Sequence, residues 1–196
     1  FGYESYNKFA IDKRAEDIIN TFDKNVEEKL TEERLQKENE EAIANGEDVK
    51  TRRRSARTDY TTRYNDCIVV GTIRIPAINA KYPIMQEVSV EALEIGVAIA
   101  YEYGPGGINQ VGNTVIFGHN YRNGVFFSNN KKLSNGDKIN ITDLDGKKVT
   151  YTIYKIFETD ENDTKFYNRD TDGKREITLS TCTDDSKARL IIQARE

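Results

Sequence analysis

The chain has 196 residues with a single His, a single Met, three Pro, two Cys and no Trp. One imidazole excludes the two- and three-histidine zinc sites within a single chain. Two cysteines permit at most one bridge, so a disulfide-rich scaffold is excluded as well. No run of about 18 apolar residues occurs, and the sequence as it stands holds no membrane-spanning helix. Cationic excess is also missing: the net charge is -4, whereas nucleic-acid binders are normally basic. Apolar residues are few, 37% against 32% charged, where soluble domains average roughly 45–50% and 25%. Part of the chain therefore builds no core. Nucleophilic chemistry has a short list to draw on.

Residues 1–60 carry most of the polarity. Apolar side chains at Ile11, Ala15, Ile18, Ile19, Phe22, Val26 and Leu30 step by three or four, a helical period. From Glu27 to Glu41 that face dissolves into charge, with seven Glu and three basic residues. No Pro precedes Pro76, and Asn45-Gly46 is a helix stop because Gly accepts the left-handed conformation cheaply. One long or two short amphipathic helices are expected over residues 7–45, as a solvated arm packed lightly on the main domain. A coiled-coil partner site is the alternative, but sustained heptads are absent. Lys50, Arg52, Arg53, Arg54 and Arg57 then form a basic stretch without apolar residues, read as a linker to the second unit, residues 61–196.

From Cys67 onward the texture is that of strands. Runs at 67–75, 81–85, 97–103, 113–117, 137–144, 147–158, 176–182 and 188–194 are expected to be extended. Ser89 and Gly96 bracket a short helix, and Asp145-Gly146 is a strong hairpin signal. Seven or eight short strands with little helix between them indicate an antiparallel barrel or sandwich.

Three chemically capable side chains sit at strand ends. Strand alternation puts Thr178, Ser180 and Cys182 on one face, and Cys182 stands where a polar loop begins. Seven positions on, Arg189 opens the next apolar strand; if the two pair as a hairpin, thiol and guanidinium are neighbours. The sole imidazole, His119, ends another apolar strand after Gly118, which permits a turn or a close backbone approach. Each has an ordinary structural explanation: a buried thiol, a surface imidazole, an edge charge. Residue types and spacing alone leave both readings open.

The same residues carry a family resemblance. Thr178-Leu179-Ser180-Thr181-Cys182 followed by Ala188-Arg189-Leu190-Ile191-Ile192 resembles the signature of the sortases, a Thr-Leu-x-Thr-Cys strand with an Arg on the next strand. Val115-Ile116-Phe117-Gly118-His119-Asn120 resembles their His-bearing segment. Gly71-Thr72-Ile73-Arg74-Ile75-Pro76 and Lys81-Tyr82-Pro83-Ile84 resemble their early strands. The resemblance covers about residues 67–195, and the 63 residues from His119 to Cys182 fit it.

It implies a mainly β fold, an eight-stranded β-barrel with an N-terminal helical arm. It also implies a cysteine transpeptidase with His119, Cys182 and Arg189 as catalytic residues and no cofactor or metal. The implied partners are a sorting-signal peptide of the Leu-Pro-x-Thr-Gly type and an amine acceptor, either cell-wall precursor or a pilin lysine. The implied location is the outer face of a Gram-positive cell membrane, with a tether in the full-length protein. The arm resembles class B and class C members. No Asp-Pro lid motif occurs, and Asp59-Tyr60 is the one candidate for a degenerate lid. A papain-like peptidase fits poorly, since there the Cys precedes the His and opens a helix. A non-enzymatic surface barrel that binds a partner is the alternative from another class. Glu158, Asp160, Glu161 and Asp163 do not follow EF-hand spacing, so an acidic solvated loop is preferred to a calcium site.

Overall fold

A computed structural model describes residues 2–46 and 59–196. The basic stretch from Lys50 to Arg57 lies outside the described residues. The arm is one uninterrupted helix, α1 (Gly2–Ala44). It stops as the sequence indicates: Gly46 takes φ +75° and its N–H returns to the Ile43 carbonyl at 3.1 Å. The second half is carried by exposed pairs such as Lys24–Glu28 and Lys37–Glu41 at 3.7 and 3.9 Å. With the cation N-terminal, this is the weaker orientation of such pairs.

The first half differs from the expected light contact. Ala15, Ile18, Ile19, Phe22 and Val26 are all buried. Ile18, Phe22 and Val26 form one apolar cluster with Val69, Met85, Ile95 and Ala98 from the barrel and a second helix. The charge-rich composition hid this, because one narrow apolar stripe suffices to seat a helix. Polar contacts fix its line. Lys8 Nζ donates to the Gly124 carbonyl at 3.3 Å, Tyr82 Oη to Asp12 at 3.0 Å, and Lys29 Nζ to Asp145 at 2.9 Å.

The barrel strands are β2 (Cys67–Ile75), β3 (Ala80–Met85), β4 (Val97–Ile99), β5 (Gly112–Phe117), β6 (Lys138–Asp143), β7 (Lys148–Asp160), β8 (Arg175–Cys182) and β9 (Ala188–Arg195). They run in the order β2-β3-β4-β5-β8-β9-β7-β6, and β6 pairs back onto β2, closing an eight-stranded barrel. A three-residue strand, β1 (Thr62–Tyr64), lines the outer end of β2 and is too short to leave a periodic signal. Side chains including Ile73, Ile84, Ile116, Tyr151, Leu179 and Ile192 fill the interior. Helix α2 (Val90–Ile95) forms where expected, with Ser89 Oγ accepting the Ala92 N–H at 3.0 Å.

Two expectations are corrected. The barrel is mixed, not antiparallel: β3 runs parallel to β4, and β5 parallel to β8. Strand β8 is buried from Glu176 to Thr181 and β5 from Asn113 to Ile116. Burial on both faces is the environment parallel pairs require. The strand expected over 97–103 ends at Ile99, where Tyr103 N–H turns back to the Ala100 carbonyl at 3.1 Å. The residues beyond it serve packing instead: the Tyr103 ring centroid lies 4.7 Å from that of Tyr167. As for Asp59-Tyr60, Tyr60 Oη bonds Glu32 of α1, in a hollow that shares no lining residue with the cleft at Cys182.

Candidate active site

Strands β8 and β9 form the expected hairpin, and their last pair is Cys182 opposite Arg189. The Arg189 Nη1 group donates to Cys182 Sγ. A guanidinium has five donors in a fixed fork and cannot be deprotonated, so others remain for a second acceptor. Alternation places Thr178 and Ser180 on the same strand face, where Arg169 donates to Thr178 at 3.1 Å and Tyr167 Oη to Ser180 at 2.8 Å. These polar side chains are buried and hydrogen-bonded along β8 up to Cys182.

The imidazole arrives through the parallel pair. The last register partners of β5 and β8 are Phe117 and Ser180. His119 and Cys182 each lie two residues further on, at the same end of the barrel. Gly118 permits this turn by close approach: a Cβ there would lie 2.6 Å from the buried Phe127 ring. His119 stacks on Tyr121 with centroids 4.8 Å apart, and its Nε2 is 4.0 Å from Glu94 Oε1. Tyr121 Oη donates to that same carboxylate. Helix α1 reaches this side as well, through Arg14 to the Glu94 carbonyl. Among the described residues, Cys182 has Arg189 as its side-chain partner and His119 has Glu94 and Tyr121.

Cys182 opens into a small cleft of about 130 Å³ whose walls include Asn120, Lys131, Glu158 and Asp184. The Asp184 carboxyl is held below its ordinary range by hydrogen bonds, first from Lys131 and then from Asn120. Cys67 stands elsewhere, beside α2 and Glu91. Burial first, and then the Glu91 carboxylate, push its thiol above the ordinary value. Sequence reasoning singled out His119, Cys182 and Arg189, and the fold gathers all three at one barrel end. It missed Glu94, which has no motif. It also passed over Asn120, though that residue adjoins His119 in the quoted segment.

Comparisons with known proteins point to one family. The Sortase domain family matches residues 73–196. Sortase A of Streptococcus agalactiae serotype III (strain NEM316) is 30% identical over 137 residues, covering 68% of this chain. The match spans 55% of that relative's length. Among solved structures, the lid mutant of sortase A from Corynebacterium diphtheriae superposes with a TM-score of 0.58 at 30% identity, over 66% of this chain and 70% of that one. A Clostridium perfringens sortase D5 transpeptidase gives 0.58 at 31%, over 65% and 78%. Barrel topology and family model together point to one class of protein. The chain belongs to the sortase family. Its relatives carry class A, C and D names, so the class stays undivided.

Proposed function

We propose that this chain cleaves a sorting signal of the Leu-Pro-x-Thr-Gly type between Thr and Gly and passes the acyl group to an amine. The observation that carries the reading is the Arg189 donor aimed at Cys182 Sγ, on the strand paired in parallel with the one that delivers His119. A guanidinium donor at sulfur stabilises negative charge there, and the thiolate is the form that attacks.

The chemistry then runs in two halves. Cys182 Sγ attacks the Thr carbonyl carbon, and an Arg189 N–H receives the tetrahedral oxyanion. Collapse breaks the Thr–Gly C–N bond while His119 gives its proton to the departing Gly amine. The Thr acyl group remains as a thioester on Cys182. An incoming amine loses a proton to His119, attacks the thioester carbonyl and expels the Cys182 thiolate. The product is a new amide, and the enzyme returns to its starting charge state.

In this reading the acceptor is a cell-wall precursor amine or a pilin lysine. Residues 1–60 are the helical arm and basic linker, and residues 61–196 the catalytic barrel. Family members act typically at the bacterial cell surface, and we place this one outside a Gram-positive membrane, tethered in the full-length protein. Among the described residues no helix is long and apolar enough to cross a membrane.

Incubation with Leu-Pro-x-Thr-Gly peptides and an amine, read by mass spectrometry, tests the reading. The expected products are the released Gly fragment, a Cys182 acyl adduct and the amine conjugate. Cys182→Ala is expected to abolish all three, and Cys67→Ser none. Uncleaved peptides together with a Cys182 inert to mild alkylation would leave a binding barrel as the better description.

A further inference from the structure

The β5–β8 ladder changes character where the reacting pair stands. Its last backbone rung runs from the Gly118 N–H to the Ser180 carbonyl at 3.2 Å. In a parallel ladder the next rungs join the Cys182 N–H to the Gly118 carbonyl and the residue 120 N–H to the Cys182 carbonyl. Side chains hold both acceptors instead. Thr181 Oγ1 donates to the Gly118 carbonyl at 2.7 Å, and Asn120 Nδ2 to the Cys182 carbonyl at 2.9 Å. A side-chain amide reaches farther from its strand than a backbone N–H. Neither backbone rung forms, and side chains tie the strands at His119 and Cys182.

Every polar group of Asn120's amide is used. Nδ2 also donates to Asp184 Oδ1 at 2.9 Å, and Oδ1 accepts the Arg122 N–H at 3.0 Å. The backbone N–H at one end and two pure acceptors at the other fix which amide atom is which. Lys131 holds Asp184 in turn at 2.5 Å.

We propose that Asn120 is a positioning residue that sets the separation of His119 from Cys182 by replacing one backbone rung with its side chain. The proposal rests on these two residues being the reacting pair. An opening of fixed width lets the scissile peptide lie between thiol and imidazole, with the imidazole still in reach of the leaving amine. Holding reacting groups at such a distance is worth most to the chemical step, and little to ground-state binding.

The sharpest variant is Asn120→Asp, nearly the same shape. It keeps the acceptor for the Arg122 N–H, loses both donors, and turns a carboxylate toward the Cys182 carbonyl and Asp184. The expected result is a fall in kcat on the order of 10²-fold, the cost of misplacing reacting groups by about 1 Å, with KM unchanged. Asn120→Ala, which adds no charge, is expected to lower kcat in the same direction and covers the case in which Asn120→Asp fails to fold. Combining Asn120→Asp with Asp184→Asn restores a donor between those two side chains but not the rung to Cys182. This double variant is expected to stay slow; full recovery would assign the effect to the Asp184 contact and overturn the proposal.

A second readout needs no turnover. The chain has one His, so its imidazole signal in a proton NMR spectrum is unambiguous. In a Cys67→Ser background, a nitroxide on Cys182 should broaden that signal, and the broadening should weaken in both Asn120 variants. Unchanged broadening with unchanged kcat overturns the proposal, as does a loss that falls on KM alone. If the parent cleaves no peptide while the broadening still depends on Asn120, the transpeptidase reading fails and the positioning role stands.

Discussion

Phe22 is the side chain through which the N-terminal helix joins the barrel, and Phe22→Ala tests whether that junction belongs to the folded core. The ring is fully buried (0% exposed) between Ile18 and Val26 on its own helix and Val69, Met85 and Ala98 on the barrel. Truncating such a ring removes its transfer free energy and leaves a cavity, together about 3–5 kcal/mol. With a urea slope of about 2 kcal/mol per molar, the unfolding midpoint should fall by about 2 M. Two probes make the test sharper. Far-UV circular dichroism is dominated by the 43-residue α1, while near-UV ellipticity, in a chain without Trp, reports tyrosines such as the buried Tyr151. Both transitions should move together, because the helix and the outer barrel face share one apolar cluster. Ile43→Ala, at a position 63% exposed, should leave the midpoint in place. A shift below about 1 kcal/mol in Phe22→Ala, or a helical transition that separates from the near-UV one, would refute the shared core. Removal of residues 1–57 should accordingly expose Val69, Met85 and Ala98 and destabilise the barrel.

Arg189→Lys keeps the charge but loses the planar fork, and peptide turnover should fall by roughly 10²–10³-fold with the fold intact; near-normal turnover would make Arg189 a structural partner only. Gly118→Ala places a methyl 2.6 Å from the Phe127 ring, which is itself buried. Overpacking of this kind costs about 1–3 kcal/mol, and a thermal melt that moved by nothing would show that the ring yields freely. Alkaline pH should destabilise the fold. Burial is the largest of the influences raising the phenol pKa values of Tyr82, Tyr121, Tyr151, Tyr154 and Tyr167. Raised values favour the neutral form in the native state, so the unfolded chain ionises first and stability is lost as pH climbs above about 10. Absorbance at the tyrosinate band should therefore show part of the eleven tyrosines titrating only on unfolding.

Much of this architecture is legible in local sequence, and the illegible parts share a physical reason. Strand β2 spans the expected Cys67–Ile75, bounded by a polar entry and Pro76. Ser89 and Gly96 announce α2, and the Asp145-Gly146 turn joins β6 to β7. These are signals within a few residues. Parallel pairing of β5 with β8 is not such a signal, since it joins segments more than 60 residues apart, and buried strands read alike in either direction. The seating of α1 was hidden because five apolar positions among many charges resemble a solvated helix until a partner surface is known. For the site, Cys182 and Arg189 lie across one hairpin and could be paired from spacing. Glu94 beside His119, and the reach of Asn120 to the Cys182 carbonyl, depend on how separate loops meet in space.

The topology also separates a local contact from a long-range one in the site. Cys182 and Arg189 belong to one hairpin and can meet as soon as β8 and β9 zip, a local event on the timescale of microseconds. His119 reaches them only when β5 docks in parallel on β8, a long-range contact that must first bear the entropy of closing a large loop. If that hairpin forms first, Cys182 and Arg189 meet before His119 joins them. During refolding, peptide cleavage should appear only after β5 has docked on β8. On the proposed reading, the site is complete only once β5 has closed onto β8.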